Sequence, residues 1–258
     1  MSIENAFTGK KIFFLHPSAL VENKIVEELI QHDFEVYVTK EHDRIKRVLQ
    51  KFPDSVVFID IDEGLSEASW ENWIRVVTGA LRQISVGILS ANKSKELIHK
   101  YTNVLGLRCG YTLLTPDIHQ STAQVWEHLQ RVDAKGARKY LRSDIDKSML
   151  ATINVPHGSG FAKGIIRDIS VVGLRCYFIN EINLEKNTLF KDTQIKLQST
   201  LLKAETIVFG SQQHGASKDR DYVFLFTKRL DPDVKAKIRV FILQTMQSNM
   251  DALLLMKK

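Results

Sequence analysis

Arg138 and Arg142 stand four residues apart in the run Ala137-Arg138-Lys139-Tyr140-Leu141-Arg142, and Asp168-Ile169-Ser170-Val171-Val172-Gly173 follows between two strand-like segments. Arginine carries a permanent charge on a planar fork. A pair of them can therefore grip phosphate oxygens or the O6/N7 edge of a guanine and stack on the base plane. Asp168 and Ser170 supply what arginine lacks: acceptors for guanine N–H donors, with a hydroxyl that works in either sense. A small, doubly anionic guanine ligand needs this set. Each half alone is unspecific. In a chain that is 26% charged, an Arg-x-x-x-Arg spacing usually marks a solvated face. Asp-x-Ser-x-x-Gly alone reads as a strand-ending turn, with Asp and Ser capping backbone N–H groups and Gly173 at positive φ. The specificity lies in the combination, with the arginines just before the first strand of an all-β stretch and the turn between its second and third strands.

With both parts in place, residues 136 to about 250 resemble a PilZ domain, the bacterial receptor for cyclic di-GMP, whose signature is an Arg-x-x-x-Arg arm followed by Asp/Asn-x-Ser-x-x-Gly on a barrel. The resemblance covers the C-terminal half only. It implies that Arg138 and Arg142 hold the guanine and phosphates, while Asp168, Ser170 and Gly173 form the barrel side of the pocket. It also implies a non-enzymatic effector with no cofactor beyond the cyclic di-GMP it binds, acting in motility, attachment or virulence. Ala137, just before the first arginine, brings no extra cation for a stacked second nucleotide, which favours one ligand molecule per domain.

The elements that must position these residues follow from hydrophobic patterning. From Lys10 to about Val132, short β-branched or aromatic runs (Lys11–Leu15, Phe34–Val38, Ser55–Ile59, Ser85–Leu89, Gly110–Leu114) alternate with segments such as Leu20–Ile30 and Asp43–Leu49, whose apolar residues recur at three-and-four spacing. Five β-α units in a row predict a doubly wound α/β domain. After Gly136 the helices stop. Ala151–Val155, Phe161–Asp168, Gly173–Phe178, Thr193–Leu201, Glu205–Gly210 and Tyr222–Thr227 read as six strands of an antiparallel barrel, punctuated by the turn clusters Pro156–Gly160 and Gln212–Gly215. Asp231-Pro232-Asp233 opens a final helix with Ile238, Phe241, Ile242 and Met246 on one face. The expected class is α/β plus all-β: a receiver-like domain over 1–132, an arm over 133–147 and a PilZ-type barrel with its C-terminal helix over 148–258. The polar arm is expected to order around the ligand and fix the angle between the halves.

The N-terminal half resembles a receiver domain of two-component signalling with its chemistry reduced. Asp60, ending the third strand, matches the phosphoacceptor and Ser90 the hydroxyl residue after the fourth. Where the family carries two adjacent acids for magnesium this chain has His16-Pro17, and in place of the lysine before a proline it has Thr115-Pro116. A divalent ion of that kind needs carboxylate oxygen. Without metal and lysine an aspartate keeps its nucleophile and loses the charges that stabilise a transferring phosphoryl group, so Asp60 reads as vestigial and the domain as a surface for a downstream protein partner. Asp62 and Glu63 keep open an unusual cation site, and with it the alternative of a phospho-accepting response regulator.

Composition narrows the remaining classes. The 258 residues suit two domains, and a net charge of +6 suits an anionic partner without saying which. That charge prompts a nucleic-acid-binding alternative, against which stands the want of a recognition helix or an exposed aromatic row. No run approaches the roughly 20 apolar residues of a membrane span, and the start, Met1-Ser2-Ile3-Glu4-Asn5, has no basic region followed by an apolar run, so a cytoplasmic protein is expected. Cys109 and Cys176 fall in different halves and read as buried small hydrophobes. The eight histidines, His16, His99, His119 and His128 among them, show no ligand spacing, so no metal is expected. Trp70, Trp73 and Trp126 lie in helical stretches and read as core or domain-interface residues.

Overall fold

A computed structural model of the chain describes residues 9–136, 139–145, 150–213, 220–227 and 230–256. They form two compact units, Met1–Lys139 with Asn249–Lys258, and Tyr140–Ser248.

In the first unit the strands β1 (Ile12–Leu15), β2 (Val36–Thr39), β3 (Val56–Asp60), β4 (Ser85–Ser90) and β5 (Tyr111–Leu113) pair in parallel in the order β2-β1-β3-β4-β5. This is one of the doubly wound orders, as the alternating patterning predicts. β1 and β3 are buried along their whole length, so both faces of the sheet are covered. On one face Ile12, Phe14, Val56 and Phe58 share a core with Val21, Ile25 and Leu29 of the first helical segment and with Val125 and Leu129 of the helix Ile118–Arg131. Successive side chains of a strand alternate faces, so Phe13, Leu15, Val57 and Ile59 fill the other. Trp70 and Trp73 sit buried on the helix Glu67–Ala80, where their indole N–H groups donate to the Glu63 and His42 carbonyls. They are core residues.

The second unit is a closed antiparallel barrel. β7 (Ala151–His157), β8 (Gly160–Ser170), β9 (Gly173–Phe178), β10 (Leu189–Leu197), β11 (Thr200–Gln213) and β12 (Arg220–Phe226) run in the order β8-β7-β10-β11-β12-β9, and β9 returns to β8 to close the ring. Ile153, Val155, Ile166, Leu174, Cys176, Ile195, Val208, Tyr222 and Phe224 are buried on alternating positions. The expected strand Thr193–Leu201 is corrected. It joins two strands across a two-residue turn, Gln198-Ser199, with Leu197 opposite Thr200 and Gln198 at φ 53°. Gln-Ser carries none of the Gly or Asn chemistry by which such a turn is recognised in sequence. A further correction concerns the arm. Arg142 opens a short strand, β6 (Arg142–Asp144), that pairs with the end of β8 beyond the reach of β7.

The final helix spans Pro232–Leu255. Its predicted apolar residues Ile238, Phe241, Ile242 and Met246 are buried, and Phe241 and Ala236 share a hollow of about 210 Å³ with Leu197 and Thr200 at the β10–β11 turn. Among the described residues no helix is long and apolar enough to cross a membrane.

Candidate functional site

The site-bearing residues of the barrel meet where it closes. β6 sets Arg142 opposite Ser170 and Asp144 opposite Asp168, and β9 sets Gly173 opposite Ser170 and Arg175 opposite Asp168. Between Ile166 and Asp168 the β8–β9 register slips by one residue, a β-bulge. Arg142, Asp168, Ser170 and Gly173 are thereby brought together on adjacent strands. Arg138 lies outside the described residues.

Asp168 is 1% exposed. Its Oδ2 accepts a hydrogen bond from Arg175 Nε at 2.5 Å, and Arg142 Nη1 stands 3.2 Å from Oδ1 without hydrogen-bonding geometry. Arginines hold this aspartate, so the turn reading of the half-motif alone, with Asp168 as a cap for backbone N–H groups, does not hold. Ser170 is the capping residue. Its hydroxyl donates to the Gly173 carbonyl at 3.1 Å and accepts from Val172 N, closing the β8–β9 turn. Gly173 is not at positive φ. A Cβ built there would stand 2.3 Å from the Phe224 carbonyl oxygen, so glycine is required by the close approach of β12 and not by turn geometry. Leu225, opposite Gly173 and partly exposed, lies against the same spot.

Three charged residues that the motif did not name extend the cluster. Arg175 Nη1 lies 3.8 Å from Asp221 Oδ2, Arg167 Nε lies 2.9 Å from Asp221 Oδ1, and the Arg167 guanidinium stands 4.7 Å from the Tyr177 ring centre. Asp221 is 1% exposed. Burial works against the charge of Arg175, but the Asp168 hydrogen bond and the fields of Asp168, Asp221 and Asp144 outweigh it, and its pKa rises. One signal for Arg175 was readable: two residues beyond Gly173 on a strand, it must share Gly173's face. Arg167 and Asp221 depend on a bulge and a strand pairing that no local pattern announces.

The first unit places Asp60 at the end of β3, 1% exposed. Its Oδ2 accepts from Ser18 N at 3.0 Å and its Oδ1 from Asp62 N at 3.4 Å. Burial raises its pKa, Ser18's hydrogen bonds oppose the rise, and the field of Asp62 adds to it. Asp62, a candidate for recruiting a cation, has both oxygens engaged, Oδ1 by the Ser90 hydroxyl and Oδ2 by Ala91 N, each at 2.6 Å. Thr115 donates its hydroxyl to the Asp117 carbonyl. At the acid positions, His16 Nε2 lies 3.2 Å from His42 Nδ1, with Trp70 edge-on to both rings. This pairing, 26 residues apart in sequence, could not be read from histidine spacing. Among the described residues no group of three or more His, Cys, Asp or Glu is placed to hold a metal.

No family model and no curated protein matches the sequence. Solved structures resemble part of it. The PilZ domain with c-di-GMP of YcgR from Escherichia coli is 11% identical, over 45% of this chain and 95% of that one, with a TM-score of 0.39. The MrkH–c-di-GMP complex from K. pneumonia is 16% identical, over 45% of this chain and 55% of that one, at 0.40. The inhibitor of motility MotI from Bacillus subtilis is 11% identical, over 43% and 51%, at 0.37. The chain spans only about half the length of the latter two proteins.

Proposed function

We propose that this chain is a PilZ-type receptor for cyclic di-GMP that works without catalysis, in the cytoplasm, by rearranging its arginine arm and domains when the nucleotide binds. Arg138 and Arg142 hold the guanine and phosphates. Asp168, Ser170 and Gly173 form the barrel side of the pocket. Asp60 is a vestigial phosphoacceptor, and the first domain, 1–132, serves a downstream protein partner.

The observation that supports this reading best is the approach of Arg142 to Asp168 across β6 and β8, next to Ser170 and Gly173. It gathers a cationic fork, an acceptor and a hydroxyl within one small patch, the complement of a guanine beside a phosphate. Arg142 is 42% exposed, so its fork can turn from Asp168 to a ligand at little cost to the barrel.

Calorimetric titration with cyclic di-GMP and a panel of linear and cyclic guanine nucleotides tests the proposal. Saturable binding of cyclic di-GMP is expected. A charge-assisted hydrogen bond contributes about 1.5–3 kcal/mol, so Arg142→Ala should weaken that binding roughly tenfold to hundredfold. No heat and no saturation with well-folded protein removes the reading. An Arg142→Ala variant as tight as wild type removes the role of that residue.

A further inference from the structure

We propose that Arg175 is the positioning residue that fixes the Asp168 carboxylate as the guanine-reading acceptor, and so sets the preference for guanine over purines that lack its 2-amino group. The inference rests on the receptor reading above and adds a determinant that the two-part motif does not contain.

The two oxygens of Asp168 have different surroundings. Oδ2 is bound by Arg175 Nε, while Oδ1 has no hydrogen-bond donor among the described residues, although Arg142 lies close by. A carboxylate free to rotate holds its plane at no fixed angle, and so lines up with no particular pair of donors. With Oδ2 pinned, the plane of the group is set. Each carboxylate oxygen has about two lone-pair sites, so Oδ2 keeps one after Arg175 takes the other, and Oδ1 keeps its own. The N1–H and 2-amino donors of guanine are adjacent and match a carboxylate held edge-on.

Arg175 is itself held. Its fork lies between Asp168 and Asp221, both 1% exposed, and Asp221 is paired in turn with Arg167, which stands over Tyr177. The ladder runs across β8, β9 and β12, the strands at which the barrel closes, so it has a rigid footing. A planar fork can serve two carboxylates at once. A lysine ammonium, a point charge, cannot replace it in full.

Titration of wild type, Arg175→Met and Arg175→Lys with cyclic di-GMP and with its inosine counterpart, cyclic di-IMP, tests this. Wild type should prefer the guanine ligand about tenfold to hundredfold, the worth of one hydrogen bond to a charged group. Arg175→Met should bring the two affinities within about threefold of each other. Arg175→Lys should recover part of the preference. If Arg175→Met weakens both ligands equally and leaves their ratio intact, the residue is only structural and the inference is overturned. Should that variant not fold, Asp221→Asn removes the second anchor and keeps Arg175, and an unchanged ratio there overturns the inference equally. Wild-type protein that binds both nucleotides alike defeats this inference alone, whereas wild type that binds neither defeats the receptor reading with it.

Discussion

Within the proposed site, Gly173 acts through the space it leaves empty. An added methyl group would press on the Phe224 carbonyl and the Leu225 backbone, neither of which is the free end of a flexible side chain. Gly173→Ala should therefore cost about 1–3 kcal/mol of barrel stability, the range for forcing an extra group into a packed site, and should weaken cyclic di-GMP binding as β12 shifts. Gly160→Ala is the control, since nothing lies within 4 Å of its added carbon. Denaturant unfolding of the two variants separates the cases. Equal stability would mean that β12 yields freely at Gly173. Of the five residues the sequence singled out, Arg142, Asp168, Ser170 and Gly173 lie on adjacent strands, and Arg138 lies outside the described residues. The turn reading open to Asp-x-Ser-x-x-Gly alone, with Asp168 as a cap and Gly173 at positive φ, does not hold, because in a linear pattern a neighbouring strand and a cross-strand arginine are invisible.

Whole elements were easier to read than their ends. All five parallel strands and five of the six barrel strands lie within a few residues of the positions that periodicity gave them, since period-two burial and β-branched runs are local signals. The exception fails where a turn uses Gln198 at φ 53° without the usual glycine or asparagine. The contacts of the loop after β1 were not legible in local pattern either. His16 takes φ 49° and meets His42 and Trp70, a cluster set by the tertiary fold. Burial, and then the charge of neighbouring His42, lower the His16 pKa; a hydrogen bond with the Lys40 backbone opposes the drop, the Lys40 charge adds to it and Glu63 opposes it least. A group depressed in the folded state contributes stability that is present above its ordinary value of 6.5 and is lost as pH falls through the folded value. Tryptophan fluorescence reports on this unit, because all three tryptophans belong to it. Thermal melts followed that way should show wild type losing more stability than His16→Asn between about pH 7 and pH 5, asparagine being tolerant of the left-handed backbone. Parallel slopes for the two proteins would mean that His16 titrates as it does in the unfolded chain.

For the molecule as a whole, the boundary between the two compact units falls after Lys139, in sequence between Arg138 and Arg142. The proposed rearrangement of the domains follows from a polar, charged arm that orders as it folds around the nucleotide. Small-angle scattering with saturating cyclic di-GMP should therefore give a curve distinct from that of the protein alone, and curves that superimpose would remove the rearrangement while leaving binding intact. Composition and patterning anticipated two architectures in one chain. They could not show how the polar face of the second is built, and the slip in β8 explains why. In a flat strand neighbours point to opposite sides, so an acid directly after an arginine would be driven into the oily lumen. One supernumerary residue lets Arg167 and Asp168, adjacent in sequence, both pair with charged side chains of the neighbouring strands, Arg167 with Asp221 and Asp168 with Arg175. Deleting that single residue should leave Ile166, Asp168 and Ile169 alternating as in a regular strand and take from the polar face only what Arg167 adds to it.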